Sequence, residues 1–129
     1  MRNKIELIIG IILLGLLILL FVWSNQLMNS TTEELSELGV QAVEAANRGD
    51  WEETCKIMEA YNQTWHDKKS KIALIMEHSY IRAIDETIEN ATTSCWLNDY
   101  NHFIRNIEGA KHSLKHAVEV EALDWSTLF

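Results

Sequence analysis

Hydrophobic residues are distributed unevenly along this 129-residue chain, and the densest run lies at the amino terminus. Residues 5–23 contain one charged side chain, Glu6, and are otherwise apolar or glycine. Because a helix rises about 1.5 Å per residue, this run would extend roughly 28 Å, close to the ~30 Å of bilayer hydrocarbon. The pattern predicts a membrane-spanning helix that contacts the lipid bilayer through residues 5–23.

A cleavable signal peptide is the alternative for this segment. Such signals have an apolar core of about 7–15 residues followed by a small-x-small cleavage site. Here the apolar run is longer, ends in Phe21-Val22-Trp23, and is followed by polar residues without that site. We therefore expect an uncleaved anchor over residues 1–23, joined by a short tether, residues 24–30, to a domain formed by residues 31–129.

The basic residues beside the apolar run predict its orientation. Arg2 and Lys4 precede the run, whereas the first basic residue after it is Arg48. By the positive-inside rule, the amino terminus stays in the cytoplasm and the following domain lies outside. The expectation is a single-pass protein of the cell membrane with an extracytoplasmic carboxyl-terminal domain.

After the anchor, apolar residues recur with helical spacing. A capping-box pattern at residues 30–34 predicts the start of a first bundle helix, which ends at Asn47-Arg48-Gly49. Asp50 predicts the cap of a second helix, and the two-residue turn between them makes an antiparallel hairpin. The predicted buried faces consist of Leu35, Leu38, Ala42, Val43 and Ala46 in the first helix and Trp51, Cys55, Met58, Tyr61 or Asn62, and Trp65 in the second.

The second half of the chain predicts another hairpin. The apolar pattern is lost over residues 66–70, where we place a break, and it resumes in a third helix from Ile72 to Ile88. Thr92-Thr93-Ser94 predicts the cap of a fourth helix, and residues 118–129 lose the period, so a short terminal turn is expected after Asp124. The predicted seam of the fourth helix is Trp96, Tyr100, Phe103, Ile107, Ala110, Leu114 and Ala117.

Composition supports the same architecture. The chain has no proline and only five glycines, which favours long helices. About one hundred residues after the anchor suffice for one modest core. The predicted fold class is all-α: an N-terminal transmembrane helix followed by an antiparallel bundle of about four helices, arranged as two αα-hairpins.

The net charge of −8 excludes nucleic acid as a partner.

Cys55 and Cys95 are the two cysteines of the chain. In the predicted topology both lie outside the membrane and near the same end of the bundle, because the second and fourth helices begin there. A disulfide between them is one interpretation. Two small buried thiols that pack as core residues are the other.

Histidines are the remaining candidates for metal chemistry. His112 and His116 are four residues apart, a spacing that lets two imidazoles reach one metal ion, but the sequence offers no third ligand. A solvated helix face is the preferred interpretation of this pair. His78 falls between Leu74 and Ile81, which predicts a hydrogen-bonded core histidine rather than a ligand. We expect no cofactor.

Several residues are candidates for contact with the membrane surface. The predicted turn between the second and third helices returns toward the anchor and carries Lys68, Lys69 and Lys71. Clustered lysines are attracted to anionic lipid. The fourth helix also descends toward the anchor, so Trp125 and Phe129 would reach the interface that tryptophan favours. The alternative is a solvated turn and a tail that packs on the bundle.

Three stretches of the chain resemble an uncharacterised family. They are the anchor after Met-Arg-Asn-Lys, the hairpin segment NRGDWEETCKIMEAYNQTW, and the final helix and tail KHSLKHAVEVEALDWSTLF. On these the chain resembles the domain of unknown function 4363 family, small single-pass membrane proteins of spore-forming Firmicutes. The resemblance implies no catalytic residues to carry over, and it implies a larger membrane protein as the partner.

The sequence shows no phosphate-binding loop, nucleophile elbow or paired-carboxylate cleft, so we expect no enzymatic activity. The preferred function is a membrane-anchored module that binds or stabilises a membrane or envelope protein. The alternative is an extracytoplasmic bundle that senses a ligand or a metal ion.

Overall fold

The structure is a computed structural model that describes residues 2–128, apart from the side chains of Asp124 and Leu128. The described residues form four helices and contain no strand, so the predicted all-α class is confirmed. The four helices are α1 (Arg2–Asn47), α2 (Trp51–Ile72), α3 (His78–Trp96) and α4 (Tyr100–Leu128).

Helix α1 combines the apolar segment and the first bundle helix in one uninterrupted element. It contains an 18-residue window of mean hydropathy 3.1, none of it buried, and is the one described helix long and apolar enough to cross a membrane. Residues 24–30, expected to be a tether, are helical as well. They contain no glycine or proline, and Ser24 Oγ donates to the Phe21 carbonyl over 3.1 Å, so nothing interrupts the helix here.

The buried face of α1 begins seven residues before the predicted bundle start. Ser24, Met28, Thr31 and Leu35 are all buried, with the three- and four-residue spacing of one helix face. The capping-box pattern at residues 30–34 therefore lies within the helix and does not start it. Thr32 instead donates from Oγ1 to the Met28 carbonyl over 2.8 Å, one turn earlier in the same helix.

The break predicted at residues 66–70 is wrong. Helix α2 continues to Ile72, because Trp65 and Ile72 occupy the same buried face and the charged residues between them lie on other faces. The turn comprises residues 73–77, where Leu74 is 78% exposed. The carboxylate of Asp50 accepts from the Glu53 backbone N–H over 3.2 Å, so the predicted cap of α2 is confirmed.

The predicted start of the fourth helix is also wrong. Residues 92–94 lie inside α3, where the Thr92 and Ser94 hydroxyls donate to carbonyls one turn earlier. The residue that caps α4 is Asp99, whose carboxylate accepts from the His102 N–H over 3.2 Å. The α4 helix then continues to Leu128, so the short turn expected after Asp124 is absent from the described part.

The helices alternate in direction around one core. Helix α1 packs against α2 and α4, and α3 packs against the same two helices; the contacts within the α1–α2 and α3–α4 hairpins are the most extensive. The predicted seam of α4 is buried from Phe103 to Ala117. The largest fully buried side chains are Trp65, Tyr61, Phe103, Met28, Leu35, Met58, Ile72, Ile84 and Ile88.

Two polar links hold the hairpins together. Trp65 donates from Nε1 to Asp85 Oδ1 over 2.6 Å, and the other oxygen of Asp85 lies 2.7 Å from Lys69 Nζ, which joins α2 to α3. At the opposite end, Tyr100 Oη donates to Asn47 Oδ1 over 2.6 Å. The two hairpin turns that follow α1 and α3 therefore lie side by side, at the end farthest from the apolar segment.

A disulfide lies near that same distal end. It joins Cys55, in the second turn of α2, to Cys95, near the end of α3, with their Cα atoms 5.6 Å apart. Cys95 is fully buried and Cys55 is half-buried. The bond closes a sequence separation of 40 residues and connects the two hairpins covalently.

The disulfide predicts a redox-dependent stability. In the chain-entropy estimate a loop of this size contributes about 4 kcal/mol, so reduction should lower the free energy of unfolding by about 3–4 kcal/mol. We expect iodoacetamide to modify no thiol in unfolded, unreduced protein, as measured by mass, and two thiols after reduction. Two modified thiols without reductant would contradict the bond.

A second stability prediction concerns Thr31. Its Oγ1 is buried and has no hydrogen-bond partner in the part of the chain that the structure describes. A buried hydroxyl without a partner costs about 1–3 kcal/mol, and valine has nearly the same shape. Thr31→Val should therefore raise the free energy of unfolding by about 1 kcal/mol in detergent micelles, whereas Thr32→Val, which removes a hydrogen bond, should not.

Candidate functional site

The candidate metal ligands are not assembled into a site. His112 and His116 are exposed on α4, and the His116 ring packs at 5.8 Å from the ring of Tyr80. Within residues 2–128, no group of three or more histidine, cysteine, aspartate or glutamate side chains is placed to hold a metal ion. The expectation that His78 is a core residue is wrong. Because α3 begins at His78, its side chain precedes the buried face that starts at Ile81 and is exposed.

The predicted membrane-facing residues gather at the end of the bundle nearest the apolar segment. Lys68 lines a shallow groove with Trp23 and Leu27 of α1. Lys69 is held by Asp85, and Lys71 is exposed. Whether these lysines contact lipid stays a prediction.

Trp125 links the last turns of α4 to the apolar segment. Its ring lies 5.4 Å from the ring of Phe21, edge to face, and its Nε1 donates to Glu121 Oε1 over 3.3 Å. Phe129, the other aromatic candidate, lies outside the described residues. Helix α4 therefore reaches back to the level at which the apolar segment ends.

Helices α1 and α4 run antiparallel in a constant register. A Cβ atom placed on Gly39 would lie 3.9 Å from Ile107, and Phe21 meets Trp125. The two positions are 18 residues apart in each helix. By the same register, Lys111 is level with Leu35, so the order of residues along the two helices can be compared directly.

A groove of about 290 Å³ lies between α1 and α4. This pair packs less extensively than the helices within each hairpin, and Gly39 leaves the wall of α1 without a side chain at its centre. Burial raises the pKa of Tyr61, which forms part of the floor. The apolar lining consists of Leu35, Val40, Val43, Tyr61, Ile107 and Leu114, and the polar rim consists of Thr32, Ser36, Glu44, Glu108, Lys111 and Lys115.

Sequence reasoning missed this groove. The predicted seam of α4 includes Ile107 and Leu114. It does not include Lys111 and Lys115, which lie on the adjacent face of the helix. A signal was available in the sequence: Gly39 interrupts the large residues of α1, and Lys111 and Lys115 are spaced one turn apart.

The distal end carries exposed apolar side chains, which we call the distal patch: Trp96, Leu97 and Tyr100. Their exposed fractions are 65%, 72% and 44%. The sequence placed Trp96 and Tyr100 in the core seam, and this is wrong. Since α3 extends to Trp96 and a turn with a positive φ of 53° at Asn98 follows, both residues lie at the ends of their helices, beyond the core.

Comparison with known proteins identifies a family. No curated protein and no solved structure matches the chain. Residues 22–128 match the family described as Domain of unknown function (DUF4363), and they include all of α2, α3 and α4 and the part of α1 that packs in the bundle. Because the match covers most of the sequence, the chain belongs to the DUF4363 family.

Proposed function

We propose that the protein is a membrane-anchored helical module, without catalytic activity, that binds and stabilises a membrane or envelope protein through the distal patch. The observation that carries the proposal is the exposure of Trp96 and Leu97 at the end of the bundle farthest from the apolar segment. Contiguous exposed apolar side chains mark interaction surfaces, and tryptophan and tyrosine are enriched among the residues that contribute most to protein–protein binding.

The surroundings of the distal patch favour a preformed binding surface. The disulfide joins Cys95, the residue before Trp96, to α2. The hydrogen bond from Tyr100 to Asn47 fixes the start of α4 against the end of α1. A surface that is already ordered loses less conformational entropy when a partner binds. The patch therefore has both the composition and the rigidity that a protein contact requires.

In this proposal the apolar segment of α1 is an uncleaved transmembrane anchor, with the amino terminus in the cytoplasm and the bundle outside. Its length and hydropathy support a membrane span, and the basic residues Arg2 and Lys4 support this orientation. Residues 24–47 then rise about 36 Å above the anchor, which sets the height of the distal patch.

The membrane-proximal end of the bundle would rest on the bilayer surface. Lys68 and Lys71 supply positive charge, and Trp125 lies beside the end of the apolar segment. Lys69 contributes less because its ammonium group is paired with Asp85. Contact at this end would keep the bundle upright over its anchor.

A ligand-sensing bundle is the second candidate function. The groove between α1 and α4 favours a small ligand over a metal ion, because its lining is apolar while His112 and His116 are exposed outside it. A ligand in this groove would contact both helices that descend to the membrane.

The partner proposal predicts position-specific cross-linking in native membranes. A photoreactive residue in place of Leu97 should form an adduct with one membrane or envelope protein, which should also co-purify with the unmodified chain. Trp96→Ala should lower the adduct yield about tenfold or more, as expected for a residue that dominates an interface. A photoreactive residue in place of Glu59, exposed on α2, is the matched control. Equal adducts from both positions, or no effect of Trp96→Ala, would contradict the proposal.

The orientation predicts the accessibility of introduced cysteines. In intact cells, a membrane-impermeant maleimide should label Glu59→Cys and should leave Asn3→Cys unlabelled until the cells are lysed. The labelled chain should retain the mass of the uncleaved 14.9 kDa polypeptide. Labelling of Asn3→Cys in intact cells would reverse the orientation, and a shorter labelled product would indicate a cleaved signal.

A further inference from the structure

The groove between α1 and α4 has the form of a binding site for a slender apolar molecule. Its volume of about 290 Å³ lies near the lower limit of small-molecule pockets, which is about 300 Å³. An additional helix is about 10 Å wide and would not fit within this space. One extended chain is an occupant that this volume allows.

The length of the groove narrows the choice of occupant further. Along α1 it extends from Thr32 to Glu44, which is about 18 Å of helix. This is comparable with the thickness of one hydrocarbon leaflet, about half of the ~30 Å core of a bilayer. Val40, which is 55% exposed at the groove, would be covered by such a chain.

The rim adds a charge preference. Lys111 and Lys115 lie one turn apart on α4, both exposed, and in the described part of the chain neither is within ion-pair distance of a carboxylate. By the register of the two helices they flank the half of the groove nearest the membrane. Glu108 lies toward the middle of the groove and Glu44 at its far end. An anionic group is therefore favoured at the membrane-proximal half.

We propose that this groove binds a single-chain anionic amphiphile, whose acyl chain lies on Leu35, Val43 and Ile107 and whose anionic head is bound by Lys111 and Lys115. Ser36 supplies a hydroxyl group across the groove from the lysines, whereas the Thr32 hydroxyl already donates to the Met28 carbonyl. The binding does not depend on the distal patch. The head can be the carboxylate of a free fatty acid or the phosphate of a single-chain phospholipid.

The test uses the full chain in phosphatidylcholine nanodiscs and three diazirine-bearing probes: palmitate, lysophosphatidylglycerol and lysophosphatidylcholine. We expect saturable labelling by an anionic probe, with adducts in residues 35–44 or 107–115. The tighter of the two anionic probes identifies the source of the head. The zwitterionic probe should label the groove about tenfold more weakly, as expected when two lysine contacts lack a net anionic partner.

Variants separate the effect of the lysine charges on binding from the effect of the groove volume. The double reversal Lys111→Glu and Lys115→Glu should weaken labelling by the anionic probes about tenfold, whereas Lys56→Glu, an exposed lysine on α2, should leave it unchanged. Gly39→Leu should reduce labelling by every probe, because its Cβ is accepted at 3.7 Å from Tyr61 and the remaining atoms enter the groove. If that variant fails to fold, the double reversal of the exposed Lys111 and Lys115 still tests the proposal.

Three results would overturn the proposal. They are labelling that is equal for the zwitterionic and anionic probes, adducts confined to residues 5–23, and chain-to-chain adducts from a photoreactive residue in place of Val40, which would show that a second copy covers the groove. None of them bears on cross-linking from Leu97, so failure here is distinguishable from failure of the partner proposal.

Discussion

The continuity of α1 is the constraint on which the rest of the structure depends. One helix supplies both an apolar segment with no buried residue in its most hydrophobic window and the face on which the bundle is built. Because Ser24 is already buried, the core begins one residue after the apolar run ends. The remaining helices pack along this face, and α4 extends beyond its apolar seam to the level of Phe21, which Trp125 contacts.

The two ends of the bundle are held by different chemistry. At the distal end a covalent bond and the Tyr100–Asn47 hydrogen bond fix the two turns. At the end near the apolar segment, α2 and α3 are joined by the chain from Trp65 to Asp85 to Lys69, and α1 and α4 by an aromatic contact. Between these ends α1 and α4 pack less extensively than the helices within each hairpin, and the groove lies there. The groove therefore lies between the contacts that join the helices at the two ends of the bundle.

Periodicity in the sequence predicted the helices and most of the core, because buried positions such as Leu35, Met58 and Phe103 repeat with helical spacing. It misplaced the boundaries where hydroxyl residues were interpreted as caps. Serine and threonine can instead donate to carbonyls inside a helix, as Thr32 and Thr92 do. The break predicted over residues 66–70 is wrong because these residues lie on exposed or half-buried faces of α2, between the buried positions Trp65 and Ile72. Gly39 and the spacing of Lys111 and Lys115 were a partial signal for the groove, but its size depends on how closely two helices distant in sequence pack.

A rigid α1 also fixes the rotational relation between the bilayer and the groove. Eighteen residues make five full helical turns, so positions separated by 18 point in the same direction. Thr32, Ser36 and Val40 of the groove wall therefore stand above Leu14, Ile18 and Val22 of the apolar segment. A neighbouring helix that packed against those three residues would bring its own chain up beneath the open side of the groove.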